Sequence, residues 1–312
     1  MLRSFTTEPM SAILAWAQKS LEQTDTFSFE VLNPDVARGY YAGESVTIGE
    51  TEYLYRSYKA WNDLAELLFC RLLTPEKITE HTVRLTLEKI DRSDSFHHSC
   101  EKEEKYGTAS EFSRIRKNEE PAFLFAYLRA LHSVRTGEKK RILNLGINTG
   151  DEFDLIRRIL PDEIYREIEL VGVDHSESAI ALARQRFDEG NAAFYVHDIN
   201  HLETLAVGRF DLIVSIGTLQ SPGIDFKPLF MQLVQEYLTP QGAMILGFPN
   251  CRWMDGEMIY GAKAPNYPYS ELSLVIKDIH YCKKYLQQKK FRVTVTGRDY
   301  LFLTATRIQT AH

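Results

Sequence analysis

Arg141-Ile-Leu-Asn-Leu-Gly-Ile-Asn-Thr-Gly-Asp-Glu152 runs from a short apolar stretch through a loop of small residues into an acidic helix start. A brief apolar run that stops at glycine fits a strand buried on both faces. Gly146 and Gly150 lack the side chains that would keep a ligand away from backbone amides at the carboxyl edge of a sheet. An ordinary strand-to-helix turn has the same composition, so the loop decides nothing without its surroundings.

Downstream, the same rhythm repeats. Leu170-Val-Gly-Val173 is a second apolar run, followed by helical spacing over 178–187. Ala192–Val196 is a third run. Phe210–Ser215 is a fourth, followed by a helix over 228–238, and Ala243–Phe248 is a fifth. Short buried strands alternating with helices predict a parallel sheet with helices on both faces. A helix over 273–289 precedes Phe291–Val295 and Tyr300–Thr304, with Gly297-Arg-Asp between them as a turn signal. This pair should close the sheet as an antiparallel hairpin.

Two strand ends carry acids. Asp174 closes the second run and can accept hydrogen bonds from the hydroxyls of a ribose. Asp198 closes the third and can accept from an adenine amino group, with Ile199 packing on the ring. Each aspartate alone reads equally as a helix cap or loop residue; together with the glycine loop they mark three successive strand ends.

On these residues, the segment from about Glu119 to Arg307 resembles the class I S-adenosylmethionine-dependent methyltransferases. The resemblance extends to Leu238-Thr-Pro-Gln-Gly242 before the fifth strand and to the terminal hairpin. It implies an α/β fold: a Rossmann-like seven-stranded, mostly parallel sheet with one antiparallel strand. The cofactor implied is S-adenosyl-L-methionine. The residues implied to hold it are Asn144, Gly146, Asn148, Gly150, Asp174, His175, Asp198, Ile199, Ser215 and Gly217. The segment before the first strand would add Tyr106 and Arg114, or Lys117, for the methionyl carboxylate. For Arg116 and Lys117 a solvated charged face is the stronger reading.

The first motif departs from the family at two places: Asn144 stands where an acid is usual, and Asn148 where the central glycine is usual. Asp151 or Glu152 are the candidates to supply the missing charge. Ile216-Gly217-Thr218 is neither the Asn-Pro-Pro-aromatic motif of amino-group base methylases nor the Pro-Cys of cytosine-5 methylases. Candidate catalytic groups are His201, beside the adenine acid, with Glu257 and Tyr260 in the stretch after the fifth strand. Arg252 and Trp253 are candidate clamps for an acceptor, and Gly261–Tyr269 a candidate closing loop. If Asp174 holds the ribose, Asp174→Ala should weaken cofactor binding by at least about 1 kcal/mol.

Residues 1–118 read as a mixed α+β region that would shape the acceptor site or a lid, leaving 119–312 as the methyltransferase domain. The pattern predicts a first helix capped by Thr7, a strand over 27–32, a hairpin around Gly49 and a helix from Trp61 to Leu73. It predicts a strand over 82–88, a polar loop over 91–106 and a helix over 121–134. His97-His-Ser-Cys100 has no second ligand cluster in sequence, so no metal is expected.

The chain has 312 residues and a formal net charge of −6. Through Lys140 it carries 19 basic and 22 acidic residues, and beyond it 18 and 21. Neither half bears the broad basic footprint of a nucleic-acid binder. Cys70, Cys100, Cys251 and Cys282 show no CxxC spacing, and a reducing cytoplasm is the simplest setting. No apolar run reaches membrane-spanning length. The expected partner is a small-molecule acceptor methylated on oxygen or nitrogen. An RNA or protein substrate, favoured by a basic groove of Arg56, Lys59, Arg84, Arg114 and Arg116, is the alternative. A non-catalytic partner subunit is the third reading.

Overall fold

The computed structural model describes residues 2–91, 114–262 and 270–308. They fall into two compact units. One takes residues 2–91 and 253–259, the other 114–252, 260–262 and 270–308. Residues 114–118 lie in the second unit, and the piece 253–259 from beyond the fifth strand lies in the first.

The first unit contains β1 (Arg3–Ser4), α1 (Met10–Leu21), β2 (Thr26–Leu32), β3 (Ser45–Ile48), β4 (Thr51–Leu54), α2 (Tyr58–Leu67), β5 (Cys70–Leu72), β6 (Glu76–Lys77) and β7 (Thr82–Lys89). One sheet has the order β1-β2-β7-β5, with β6 also on β7; β3 and β4 form a separate hairpin. Alternation along β2 and β7 turns Phe27, Phe29, Val31, Leu85 and Leu87 inward. They meet Ile13 and Ala17 of α1 and Trp61 and Leu64 of α2 in one core.

Two local readings are corrected here. Pro9, not Thr7, precedes α1 as its cap, and no side chain bonds the cap position. The predicted helix to Leu73 stops at Leu67, because Phe69 takes φ +56 and reverses the chain. Cys70–Leu72 then pairs antiparallel with Leu87–Lys89. The apolar pattern through Leu72 satisfies a strand as well as a helix, and the edge of β7 decides between them.

The second unit contains α3 (Pro121–Ser133), β8 (Arg141–Leu145), α4 (Asp151–Ile159), α5 (Asp162–Arg166), β9 (Glu169–Asp174), α6 (Glu177–Arg186), β10 (Ala192–Val196), β11 (Phe210–Ile216), α7 (Phe226–Gln232) and β12 (Leu238–Pro249). Beyond β12 come the short strands β13 (Cys251–Met254) and β14 (Glu257–Tyr260), then α8 (Ser273–Gln288), β15 (Phe291–Gly297) and β16 (Tyr300–Arg307). Strands β13 and β14 pair around Asp255 and Gly256, at φ +48 and +77, the geometry of a tight two-residue hairpin turn.

The main sheet has seven strands in the order β10-β9-β8-β11-β12-β16-β15. All neighbours are parallel except β12–β16 and β15–β16. This is the Rossmann-like sheet the resemblance implies, terminal hairpin included. One face of the central strands (Leu143, Leu145, Val171, Val173, Ile213, Met244, Leu246) packs with α7 and α8 residues such as Phe230 and Leu286. The aromatics of α3 pack on the end of the sheet, with Tyr127 stacked on Phe302 at 5.7 Å. The helix expected over 228–238 is α-helical to Gln232 and then widens to a π-helical turn over 233–237.

The chain runs from β8 outward to β9 and β10, then returns to β11 on the other side of β8. Strand order reverses between β8 and β11, and loops leaving their carboxyl ends diverge there to leave a crevice.

Candidate functional site

The loop after β8 is held by its own backbone and by two side chains across from it. Gly146 sits at φ +73, and a Cβ there would lie 1.9 Å from Thr218 Oγ1 and 2.7 Å from its Cβ. Gly150 sits at φ +92, where a Cβ would lie 2.4 Å from the ring of Phe187. Glycine is thus required at both positions by conformation and by space. Asn148 takes φ +49, a left-handed conformation that asparagine tolerates better than other side-chain-bearing residues. The departure from glycine at 148 leaves the loop's path unchanged.

Asp174 ends β9 with its side chain only 7% exposed. One carboxylate oxygen accepts from the backbone N–H of Asn148 at 2.9 Å, the other from that of Ser176 at 3.0 Å. His175 Nδ1 lies 3.4 Å from the same carboxylate, with the ring half exposed. Asp174 therefore ties the glycine loop to the start of α6, whose own N-terminus is capped by Ser176 accepting from Ala179 N. A carboxylate has about four lone-pair sites, so two backbone donors leave acceptor capacity for ribose hydroxyls.

Asp198 is exposed and accepts from Asn200 N at 2.9 Å. Ile199 is turned into the core with Leu202 and Val207. Ser215 is buried and its hydroxyl donates to Leu145 O, across the β8–β11 junction. Gly217 (φ +75) donates to Gly247 O, and a Cβ there would touch Pro249 at 3.2 Å. The four positions thus sit at the carboxyl ends of β10 and β11.

Asn144 is 1% exposed, and both its amide nitrogen and its amide oxygen are buried without a hydrogen-bond partner. Two orphaned polar atoms in one buried side chain are costly, on the order of 1–3 kcal/mol each, and suit a position that a ligand completes.

The segment before α3 adds a buried ion pair. Lys117 Nζ lies 3.2 Å from Glu152 Oε1, with side chains 15% and 5% exposed. Burial alone disfavours the Lys117 ammonium, but Glu152, helped by Tyr300 and Asp151, holds its pKa above the ordinary lysine value. Lys117 therefore does not belong to a solvated face. Asn118 fixes the same segment by donating to Asp151 O at 3.0 Å. Ile115, Arg116 and Lys117 together with Ile147, Asn148, Thr149, Asp151 and Glu152 line a small cleft, partly open to solvent. Asp151 is engaged by Arg186 Nη1 at 2.5 Å, and the same guanidinium reaches Thr149 O and Asp154.

The expected catalytic groups are dispersed. His201 is exposed, with Nδ1 3.8 Å from Glu203. Glu257 belongs to the first unit, where Arg71 holds it at 3.1 Å together with Asp255 and Glu88. Tyr260 is 39% exposed, and its carbonyl accepts from Ser270. Arg252 is buried and donates to Ser270 at 3.2 Å, whereas Trp253 lies in the first unit. Arg114 is exposed. Tyr106, His97–Cys100 and most of the Gly261–Tyr269 loop fall outside the described residues. Sequence reading named Lys117 and Glu152 separately but not their pairing, and did not find Thr218 and Phe187 as walls of the glycine loop. The only signals available were a lysine near the domain start and an acid in the first turn of α4.

This donor set fits an adenosyl amino acid. It offers two strand-end acids, a buried amide with no partner among the described residues, and a buried ion pair lining the cleft at the glycine loop.

Comparison with known proteins agrees with the geometry. The family model described as a methyltransferase domain matches residues 136–295. No curated protein matches the chain in sequence. Among solved structures, the N-methyltransferase NodS from Bradyrhizobium japonicum WM9, in complex with S-adenosyl-L-homocysteine, is similar at 17% identity and a TM-score of 0.41, over 61% of this chain and 89% of that one. The plantazolicin methyltransferase BpumL, with S-adenosylhomocysteine and a substrate analogue, is similar at 16% identity and a TM-score of 0.44, over 63% and 90%. The family match spans just over half of the chain and contains the glycine loop, Asp174 and Asp198. The chain belongs to the class I S-adenosylmethionine-dependent methyltransferases.

Proposed function

We propose that the protein methylates an oxygen or nitrogen atom of a small-molecule acceptor. The observation that carries this choice over an RNA substrate concerns charge. Of the five cations that would form a basic groove, Arg56 is buried, donating to Glu8 O and Leu54 O and lying over Trp61. Lys59 is paired with Asp63, and Arg84 with Glu76 at 3.0 Å. A phosphate backbone is held by cations free to replace its counterions, and at least three of these five already have partners.

When bound, S-adenosylmethionine supplies a methyl carbon on a positively charged sulfur, and the acceptor's lone pair takes that carbon as the carbon–sulfur pair returns to sulfur. Methyl transfer of this kind gains most from alignment and exclusion of water. In this reading Asp174 fixes the ribose, Asp198 the base, and the backbone around Gly146, Asn148 and Gly150 the chain between them. Ser215 and Gly217 border the transfer point. Where the acceptor must shed a proton, His201 or Tyr260 takes it. Glu257 is held by Arg71 in the first unit and is given no role in this reading.

Incubating the full chain with methyl-labelled S-adenosylmethionine and a fractionated cell extract tests the proposal. Label should appear in the low-molecular-weight fraction. Label confined to RNA or protein would refute the small-molecule reading, and absence of transfer despite binding would favour a non-catalytic subunit.

A further inference from the structure

We infer that this chain has moved the charge that receives the cofactor's amino-acid end from the first strand to the start of α4. Glu152 takes the ammonium, Lys117 takes the carboxylate, and Asn144 completes the amide side of the same pocket. The inference rests on the cofactor assignment, and it joins into one site two residues that the sequence offered singly, Lys117 for the carboxylate and Glu152 for the charge absent at Asn144.

Three observations carry it. First, Asn144 is buried with a donor and an acceptor both unused. An amide offers one group of each kind, which suits a ligand end bearing one positive and one negative group. Its neutrality removes the attraction for an ammonium that a strand-end acid would give.

Second, the charge missing at 144 is present eight residues later. Glu152 is buried, lies in the first turn of α4 and lines the cleft beside the glycine loop. Asp151 is the other acid in that cleft. Its partner Arg186 also holds Thr149 O and Asp154, so drawing Asp151 away would break a network that shapes the loop. Among the described residues, Glu152 forms its ion pair with Lys117.

Third, the Lys117–Glu152 pair is electrically complementary to a zwitterion. A buried ion pair is weakly stabilising by itself, because both charges lose hydration. An incoming ammonium and carboxylate offer each member a new opposite charge, turning one buried pair into an alternating set of four. Net charge in the cleft is unchanged by the exchange, so no charge is stranded. Lys117 lies on the short segment Lys117–Glu119 that leads into α3, anchored by Asn118. It lines the cleft together with Asn148 and Thr149 of the glycine loop.

The test is calorimetric titration of the full-length chain with two probes. S-Adenosylhomocysteine carries the amino-acid end; 5′-methylthioadenosine has the same nucleoside and thioether sulfur without it. Glu152→Gln and Lys117→Met should each weaken the first probe at least tenfold and leave the second within about twofold. Adding Asn144→Asp to Glu152→Gln should restore the first probe to within about threefold of wild type. If Glu152→Gln fails to fold, Lys117→Met/Glu152→Leu removes both charges together. It should bind methylthioadenosine normally and lose its preference for the homocysteine probe. Equal weakening of both probes, or no weakening of either, overturns the inference, as does absence of rescue by Asn144→Asp. A wild-type chain that binds neither probe would instead overturn the cofactor assignment beneath it.

Discussion

Replacing Asp174 by asparagine separates the two tasks that the structure gives this side chain. The carboxylate accepts from Asn148 N at 2.9 Å and Ser176 N at 3.0 Å, one on each oxygen. Asparagine keeps the size but has a single acceptor oxygen. If that oxygen stays on the more deeply buried Ser176 N–H, the new NH2 faces the N–H of Asn148, and one donor is left unsatisfied. The cost is on the order of 1–3 kcal/mol, nearer the lower figure because the Asn148 bond is only partly buried. Binding loses a charged acceptor for the ribose as well, roughly 1.5–3 kcal/mol, or about 10- to 150-fold in Kd. Asp174→Ala removes both backbone anchors and should be less stable than Asp174→Asn. Its loss of affinity therefore mixes a misshapen loop with a missing contact, and the asparagine variant is the cleaner probe. Urea denaturation followed by circular dichroism gives the stability, and titration with S-adenosylhomocysteine the affinity. Trp16, Trp61 and Trp253 all lie in the first unit, so their emission checks that this unit is intact in the variant. Wild-type affinity in Asp174→Asn would refute the ribose assignment. Wild-type stability would refute the anchoring of the loop.

Gly146→Ala should cost about 2–4 kcal/mol, from a left-handed φ and an overlap with Thr218. Adding Thr218→Gly should return at least about 1 kcal/mol in a double-mutant cycle, and strict additivity would disprove the close approach. Burial alone would raise the pKa of Asp154, but Arg157, Arg186 and Arg158 outweigh it and hold the carboxyl below its ordinary value. A depressed folded-state pKa gives stability above the unfolded value near 3.8 that disappears as pH falls through the folded one. Asp154→Asn should therefore destabilise by roughly 2 kcal/mol at pH 7, and the gap to wild type should close below about pH 4; a gap independent of pH would contradict this. Arg71→Ala should loosen Asp255, Glu257 and Glu88 in the first unit together. Trp253 emission should shift to the red, and an unchanged spectrum would show that the arginine does not hold this tip.

The sheet was legible wherever burial on both faces left a continuous apolar run. Strands β8, β9 and β11 are such runs, and β10 and the terminal hairpin, though at the edges, also fall within two or three residues of their expected spans. Other elements at the edges were harder. Cys70–Leu72 carries the apolar spacing of α2 one turn further, and only the turn at Phe69 makes it a strand. The hairpin tip at 253–259 gives no sign in sequence that Met254 and Ile259 pack with Ile90 and Phe69. The Asp255-Gly256 turn signal, by contrast, stands in the sequence in plain form. Lys117 illustrates the same limit at the site. A run of basic residues reads as a solvated face until an acid 35 positions away is brought against it.

The two asparagines of the first motif look alike in sequence and differ in kind. At position 148 the family's glycine supplies a backbone angle, and asparagine supplies the same angle, φ +49, at modest cost. Nothing else in the loop has to change. At position 144 the usual acid supplies a charge, and an amide of similar shape cannot replace it. A neutral buried group there leaves two polar atoms without partners, which a fold does not sustain for stability's sake. If the unpartnered amide marked a lost binding function, substitution of Asn144 by an apolar residue of similar volume such as leucine should stabilise the apo protein and cost nothing else. If the amide serves the ligand, Asn144→Leu should still stabilise the apo protein, by about 1–2 kcal/mol in denaturation, but lose affinity for S-adenosylhomocysteine by tenfold or more. Denaturation with and without that ligand separates the two, since a bound ligand adds stability only in proportion to its affinity. A leucine variant stabilised by the ligand as strongly as wild type would end the case for Asn144 as a binding residue.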